Sequence, residues 1–208
     1  MGYWGTLIAV RGSRTPTALQ DLDAAVRTHE GAARGDGWRV YDVPDNVLGR
    51  GLDVLLDLVA ASSSPVIAAY IADSDYGQVV AASPSGDRWG VWLDRGTAHA
   101  FEREHHVMNG MPHAAARRRA DETIAAFGCP PAEAVRHAIG WAAEAGYTVQ
   151  AGAIGQILRT ARRPGLAARL SLPGTRYVFA EDAYFGLLDS LGLPRASVSN
   201  PARHLDEA

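Results

Sequence analysis

Between residues 66 and 72 the chain reads Val-Ile-Ala-Ala-Tyr-Ile-Ala, apolar at odd and even positions alike. Strand side chains alternate between two faces, so a run with no polar parity must be covered on both. The pattern therefore predicts a central strand in a layered α/β (α+β) core. Residues 4–10 share the property and predict a second inner strand. Residues 38–43 form another strand candidate after the turn Gly35-Asp36-Gly37. Two hairpin turns, at 75–77 and 83–87, add two more strands, the last carrying Trp89 and Trp92. Their odd separation sends the two rings to opposite faces. One ring belongs to the core; the other is either covered by the C-terminal half or exposed as a contact surface.

Helical spacing lies between these strands. Thr17-Ala18-Leu19-Gln20 fits a capping box ahead of Leu19, Leu22 and Val26. Leu48, Leu52, Leu55, Leu56 and Val59 recur at helical intervals before Ser62-Ser63-Ser64-Pro65. Strands joined through helices run parallel, and strands joined by short turns run antiparallel. The expectation is a mixed five-stranded sheet, β-α-β-α-β-β-β, in the order 2-1-3-4-5 with helices on both faces. From residue 97 the pattern turns helical, with candidates at 97–107, 114–127, 131–146, 151–162 and 181–192, and short strands at 169–172 and 177–180. The chain then divides into a sheet domain (1–95), a helical region packed on it (96–194) and a flexible tail (195–208).

Composition narrows the chemistry. All twenty cationic side chains are arginine, which excludes Schiff-base catalysis, a P-loop lysine and a Ser-Lys nucleophile. The net charge is -3, with 8 arginines against 12 acids in residues 1–95 and 12 against 11 in residues 96–208. Neither half is basic enough to suggest nucleic acid as a partner. Arg117-Arg118-Arg119 is the one basic cluster and reads as a solvated helix face. The single cysteine, Cys129, can form neither an internal disulfide nor a Cys-based zinc site. No stretch approaches the roughly 18–20 apolar residues of a membrane span, so no membrane partner and a cytoplasmic location are expected.

Open α/β sheets bind ligands at the carboxyl ends of their strands, where strand order reverses. In the expected order that crevice gathers Arg11, Ser13 and Arg14 after the first strand, Asp42 and Asp45 after the second, and Asp73, Asp75 and Tyr76 after the third. Arginines could hold a carboxylate or phosphate there in fork geometry, and paired carboxylates a divalent cation. Asp-Ser-Asp-Tyr-Gly also serves as a plain hairpin turn with no ligand at all. Further along, His99, Glu102 and His106 fall on one helix face. Two imidazoles and a carboxylate could hold a divalent transition metal with a position left open for water, although the spacing is not that of a metallopeptidase; a polar face that contains histidines is the plainer reading. Gly49-Arg50-Gly51 lacks the remainder of a dinucleotide fingerprint, and there is no Gly-x-Ser-x-Gly elbow.

The opening Met1-Gly2-Tyr3-Trp4-Gly5, the stretch 69–75, the run 83–89 and Glu181-Asp182-Ala183-Tyr184-Phe185-Gly186-Leu187-Leu188-Asp189 resemble a group of small uncharacterised actinobacterial proteins, over most of the chain. The resemblance implies a cytosolic bacterial protein and, by analogy, a toxin-neutralising or other protein-binding role. With no nucleophile–base pair and no cofactor loop, the expected function is a non-enzymatic protein-binding module of the immunity or regulatory type. Its partner is another protein, its contacts the acidic turn with Trp4 or Trp92, and it needs no cofactor. The alternative is an enzyme or small-ligand sensor using the strand-end crevice or a metal on the His-rich helix.

Overall fold

The computed structural model describes residues 2–12, 27–43, 46, 48, 53–159 and 179–193. Six strands form its sheet: β1 (Gly5–Arg11), β2 (Arg27–Ala33), β3 (Trp38–Val43), β4 (Val66–Ala72), β5 (Tyr76–Ala82) and β6 (Arg88–Leu93). The helices are α1 (Asp53–Ser62), α2 (Arg95–Met108), α3 (His113–Ala126), α4 (Pro131–Glu144), α5 (Ala151–Arg159) and α6 (Ala180–Ser190). The sheet order is β2-β3-β1-β4-β5-β6. The five expected strands thus stand in the expected order, with helices on both faces and a helical C-terminal half.

Two corrections apply. Among the described residues the sheet has six strands, and every neighbouring pair is antiparallel rather than mixed. Both follow from β2, which pairs with β3 at the sheet's edge. Because β1 is antiparallel to both β3 and β4, those two outer strands run in the same direction. The β3–α1–β4 connection is therefore a split β-α-β unit, with β1 in the gap. β1 and β2 likewise share a direction, with β3 between them. Long connections do join like-directed strands here; the extra strand inverts β3 relative to its neighbour β1. The helix expected from Thr17, the short strand at 169–172, the first half of that at 177–180 and the tail 195–208 lie outside the described residues. Ala180, the last residue of the second short strand, opens α6 instead.

Full coverage on both faces explains the apolar runs. On one face Leu7, Ala9, Ile67, Ala69, Val79 and Val91 pack with Ala138 and Trp141 of α4, Ile154 of α5 and Tyr184 and Leu187 of α6. The sheet and the helical region thus share a single core. On the other face Ile8, Val10, Tyr41 and Ala68 meet Leu55 and Leu58 of α1. Further along that face, Ala72, Tyr76 and Trp92 lie under Ala98 of α2 and Ile124 of α3. Trp141 Nε1 donates to the Val66 carbonyl at 3.1 Å and the Tyr184 hydroxyl to the Ile67 carbonyl at 2.9 Å, so α4 and α6 on the first face are tied to the start of β4 by polar as well as apolar contacts.

The free edge of β6 is blunted by the α3–α4 loop. Cys129 N–H donates to the Gly90 carbonyl at 2.8 Å, and the Cys129 thiol donates to the same oxygen at 3.4 Å. Gly128 sits at φ 74°, and a Cβ there would lie 2.6 Å from the Gly90 oxygen, so this approach needs glycine. Burial, then Glu133, pushes the Cys129 thiol up from its ordinary pKa. The residue clamps the strand edge through both its amide and its thiol.

Candidate functional site

One end of the sheet is built by the N-terminal segment lying against the β4–β5 turn. Asp73 and Ser74 adopt the left-handed backbone, with φ of 50° and 59°, which a tight hairpin turn requires and Asp tolerates. The turn is then stapled from several sides. Gly2 N–H donates to Asp73 Oδ1 at 2.9 Å, Tyr3 N–H to Ser74 Oγ at 2.7 Å, and Ser74 N–H to the Tyr3 carbonyl at 3.0 Å. The Ser74 hydroxyl donates to Glu181 at 2.8 Å, which docks the start of α6 on the same turn. A Cβ on Gly2 would lie 2.2 Å from the Asp73 carbonyl oxygen, so glycine alone passes this point.

Aromatic rings run inward from this corner. Trp4, 46 % exposed, meets Phe101 of α2, 42 % exposed, with centroids 6.4 Å apart. Phe101 meets Tyr76 at 5.4 Å, Tyr76 meets Trp92 at 6.1 Å, and Trp92 meets Phe127 at 4.9 Å. The column is open at Trp4 and Phe101 and buried at Tyr76 and Trp92. Acids surround the open end. Asp73 accepts the Trp4 indole N–H at 3.2 Å. The Tyr76 phenol is pushed above its ordinary pKa by burial first, then by Glu102, Tyr70 and Asp75, which brings those two carboxylates to the column's side. Tyr3 is also raised, chiefly by burial and then by Asp42, which accepts its hydroxyl at 2.5 Å. Both phenols stay neutral donors near neutral pH.

The expected strand-end crevice does not form. Arg11 pairs with Trp38 across the β1–β3 ladder, while Gly5 at the other end of β1 faces Ile71. Antiparallel pairing thus places Arg11 the length of β1, about 20 Å, from Asp73 and Asp75. Arg11 instead donates to the Tyr147 hydroxyl at 3.2 Å and the Ala145 carbonyl at 3.3 Å, and stacks on Trp38. Arg14 and Asp45 lie outside the described residues. Trp92, expected as a contact residue, is only 5 % exposed, because α2 and α3 fold back over it and its indole donates to the Ile124 carbonyl at 3.2 Å. Trp89 is buried on the opposite face, as the odd spacing requires. Asp73, Asp75 and Tyr76 are brought together; Phe101 joins them without having been singled out.

His99, Glu102 and His106 do not converge. His99 Nε2 pairs with Asp121 at 2.9 Å, and Glu102 lies by Tyr76. Among the described residues no three His, Cys, Asp or Glu side chains are grouped to hold a metal ion. A serine–histidine–acid set does occur around the β5–β6 turn, but it is not wired for nucleophilic catalysis. His137 contacts Asp87 at 2.9 Å and Glu133 at 3.8 Å, whereas the Ser83 and Ser85 hydroxyls donate to Glu144 at 2.7 and 2.6 Å. Among the described residues no serine reaches the imidazole, so neither Ser83 nor Ser85 is activated by it.

The Glu144 contacts make a prediction. Partial burial opposes its charge, but the Ser85 and Ser83 hydroxyls and the Ser85 amide together hold its carboxyl below the ordinary value. A depressed pKa means that the turn's docking on α4 is intact above the usual carboxylate range and is lost as pH falls through the folded value. Carbon-detected NMR should place the Glu144 midpoint below that of a model glutamate. Ser83→Ala with Ser85→Ala should return it to the ordinary value; an unchanged midpoint would show that these hydroxyls are not the cause.

Compared with known proteins, the chain matches no family model, no curated protein and no solved structure. No helix among the described residues is long and apolar enough to cross a membrane.

Proposed function

We propose that the chain is a non-enzymatic protein-binding module of the immunity or regulatory type, and that the acid-rimmed aromatic corner is its contact surface. The observation that carries this reading is the aromatic column, open at Trp4 and Phe101 and fixed below by Tyr76 and Trp92. A half-exposed ring held by buried rings is already ordered, so binding through it costs little side-chain entropy. Aromatic anchors of this kind dominate interface energetics. The carboxylates of Asp73, Asp75 and Glu102 select a partner that presents arginine or lysine beside an apolar group, and they speed encounter with a cationic surface.

The test is capture from a lysate of the source strain and from secretions of competing strains, with wild-type protein beside Trp4→Ala/Phe101→Ala and Asp73→Asn/Asp75→Asn. A stoichiometric basic partner should bind wild type and weaken by about 30-fold or more with the aromatic pair removed, the loss of roughly 2 kcal/mol expected of a hot spot. The acid variant should lose most of its salt dependence. Absence of any stoichiometric partner, or equal capture by the aromatic variant, overturns the reading.

A further inference from the structure

We propose that a groove between α2 and α3, separate from the aromatic corner, binds a small organic molecule bearing one oxyanion group, a carboxylate or phosphate, on a short apolar stem. The groove is about 410 Å³ and is lined by Arg103, Glu104 and Val107 of α2 and His113, Ala114 and Arg117 of α3. That volume lies within the range of about 300–1,000 Å³ typical of small-molecule sites. Its lining combines cationic donors with an apolar floor. Arg117 is exposed and makes no hydrogen bond or ion pair among the described residues. Arg103 has only its chain neighbour Glu104, at 3.8 Å, beyond hydrogen-bond range. Arg119, by contrast, is engaged with Glu122 at 3.0 Å. Arg103 and Arg117 therefore both present spare donors to the groove, while Arg118 keeps its donors free outside it among the described residues.

A guanidinium offers a planar fork that matches a carboxylate or phosphate with two parallel hydrogen bonds. Val107 and Ala114 can cover two or three methylenes of a stem. Glu104 on the rim repels additional negative charge, which favours a single oxyanion over a polyanion such as a nucleic-acid backbone. The Arg117-Arg118-Arg119 cluster is then divided in role: Arg117 faces the groove, Arg118 is exposed away from it, and Arg119 is paired within its own helix.

The full chain should be titrated at low ionic strength, by backbone NMR, with butyrate and with butyl phosphate. Butyramide serves as the neutral isostere and inorganic phosphate as the bare anion. At least one of the two organic anions should shift the Val107, Ala114 and Arg117 amides saturably in the millimolar range, and which one does so identifies the oxyanion. Arg117→Gln should weaken that binding about tenfold, and Arg103→Gln/Arg117→Gln should abolish it. Arg118→Gln, equally exposed but outside the groove, should leave it unchanged. Four results would each overturn the proposal: no saturation by either anion at tens of millimolar, equal binding of butyramide, inorganic phosphate binding as tightly as the organic anion, or Arg118→Gln weakening binding as much as Arg117→Gln. All the substituted arginines are exposed, so a changed fold is not expected, and an unchanged thermal midpoint verifies it.

Discussion

Replacing Trp141 by alanine is expected to lower the free energy of unfolding by about 4 kcal/mol, the cost of emptying a large aromatic site in a packed core. Trp141 is 1 % exposed, lies 5.6 Å from the Trp38 ring, and donates its indole N–H to the Val66 carbonyl at 3.1 Å. It thus joins α4 to both β3 and the start of β4. For a chain of this size the loss corresponds to a fall in melting temperature of roughly 8–16 °C. Trp141→Phe separates the two contributions. It keeps part of the volume but leaves the Val66 carbonyl without its donor, a cost of about 1–3 kcal/mol. Urea unfolding of both variants tests this. A Trp141→Ala loss below about 1 kcal/mol would mean that the sheet and the helical layer are not held by a common core.

The central strands were legible because burial on two faces writes itself into both parities of a sequence. The strands expected at 38–43 and 66–72 coincide with β3 and β4. The five helices expected beyond residue 95 all form, within a few residues of those expected ends that lie among the described residues. β2 was not legible. Its sequence, Arg-Thr-His-Glu-Gly-Ala-Ala, has no apolar alternation, since a strand at a sheet's margin need not bury a full face. Missing one strand sufficed to reverse β3, and with it the pairing of every site residue that depended on direction.

The corner was legible only in pieces. The acids of the turn declared themselves by turn chemistry, and Trp4 by its place ahead of β1. Phe101 sits among polar residues of α2, where a lone aromatic on a polar face was the available signal. What brings it to Trp4 is the fold-back of the α2–α3 hairpin, a tertiary event with no local trace. The same fold-back buries Trp92, which strand parity alone could place on a face but not under a cover. Helical spacing likewise put His99 and His106 on one face, two turns apart, without revealing Asp121, which approaches His99 from the facing helix.

The second large effect is expected at the opposite end of the sheet, where Arg34 of the β2–β3 turn is 6 % exposed and ion-paired with Asp189 of α6. The guanidinium also lies 5.9 Å from the Phe185 ring, and its Nε has no partner. Asp189→Ala should cost about 3 kcal/mol, because it strands a desolvated cation against a hydrocarbon surface. Arg34→Met should cost less. The Asp189 side chain is 23 % exposed and can regain water once the arginine is gone. Combining Arg34→Met with Asp189→Leu should recover most of the loss, since a buried pair is often matched by apolar residues of similar volume. Urea unfolding of Arg34→Met, Asp189→Leu and their combination measures the coupling directly, and additive losses would show that the pair does not act as one unit. The location gives the experiment a second use. Arg34 belongs to the end of the sheet that carries Arg11, remote from the Trp4–Phe101 corner, so Asp189→Ala should lower stability while partner capture by the folded fraction stays at the wild-type level. Loss of capture beyond what the lowered stability accounts for would place the contact surface somewhere other than the aromatic corner.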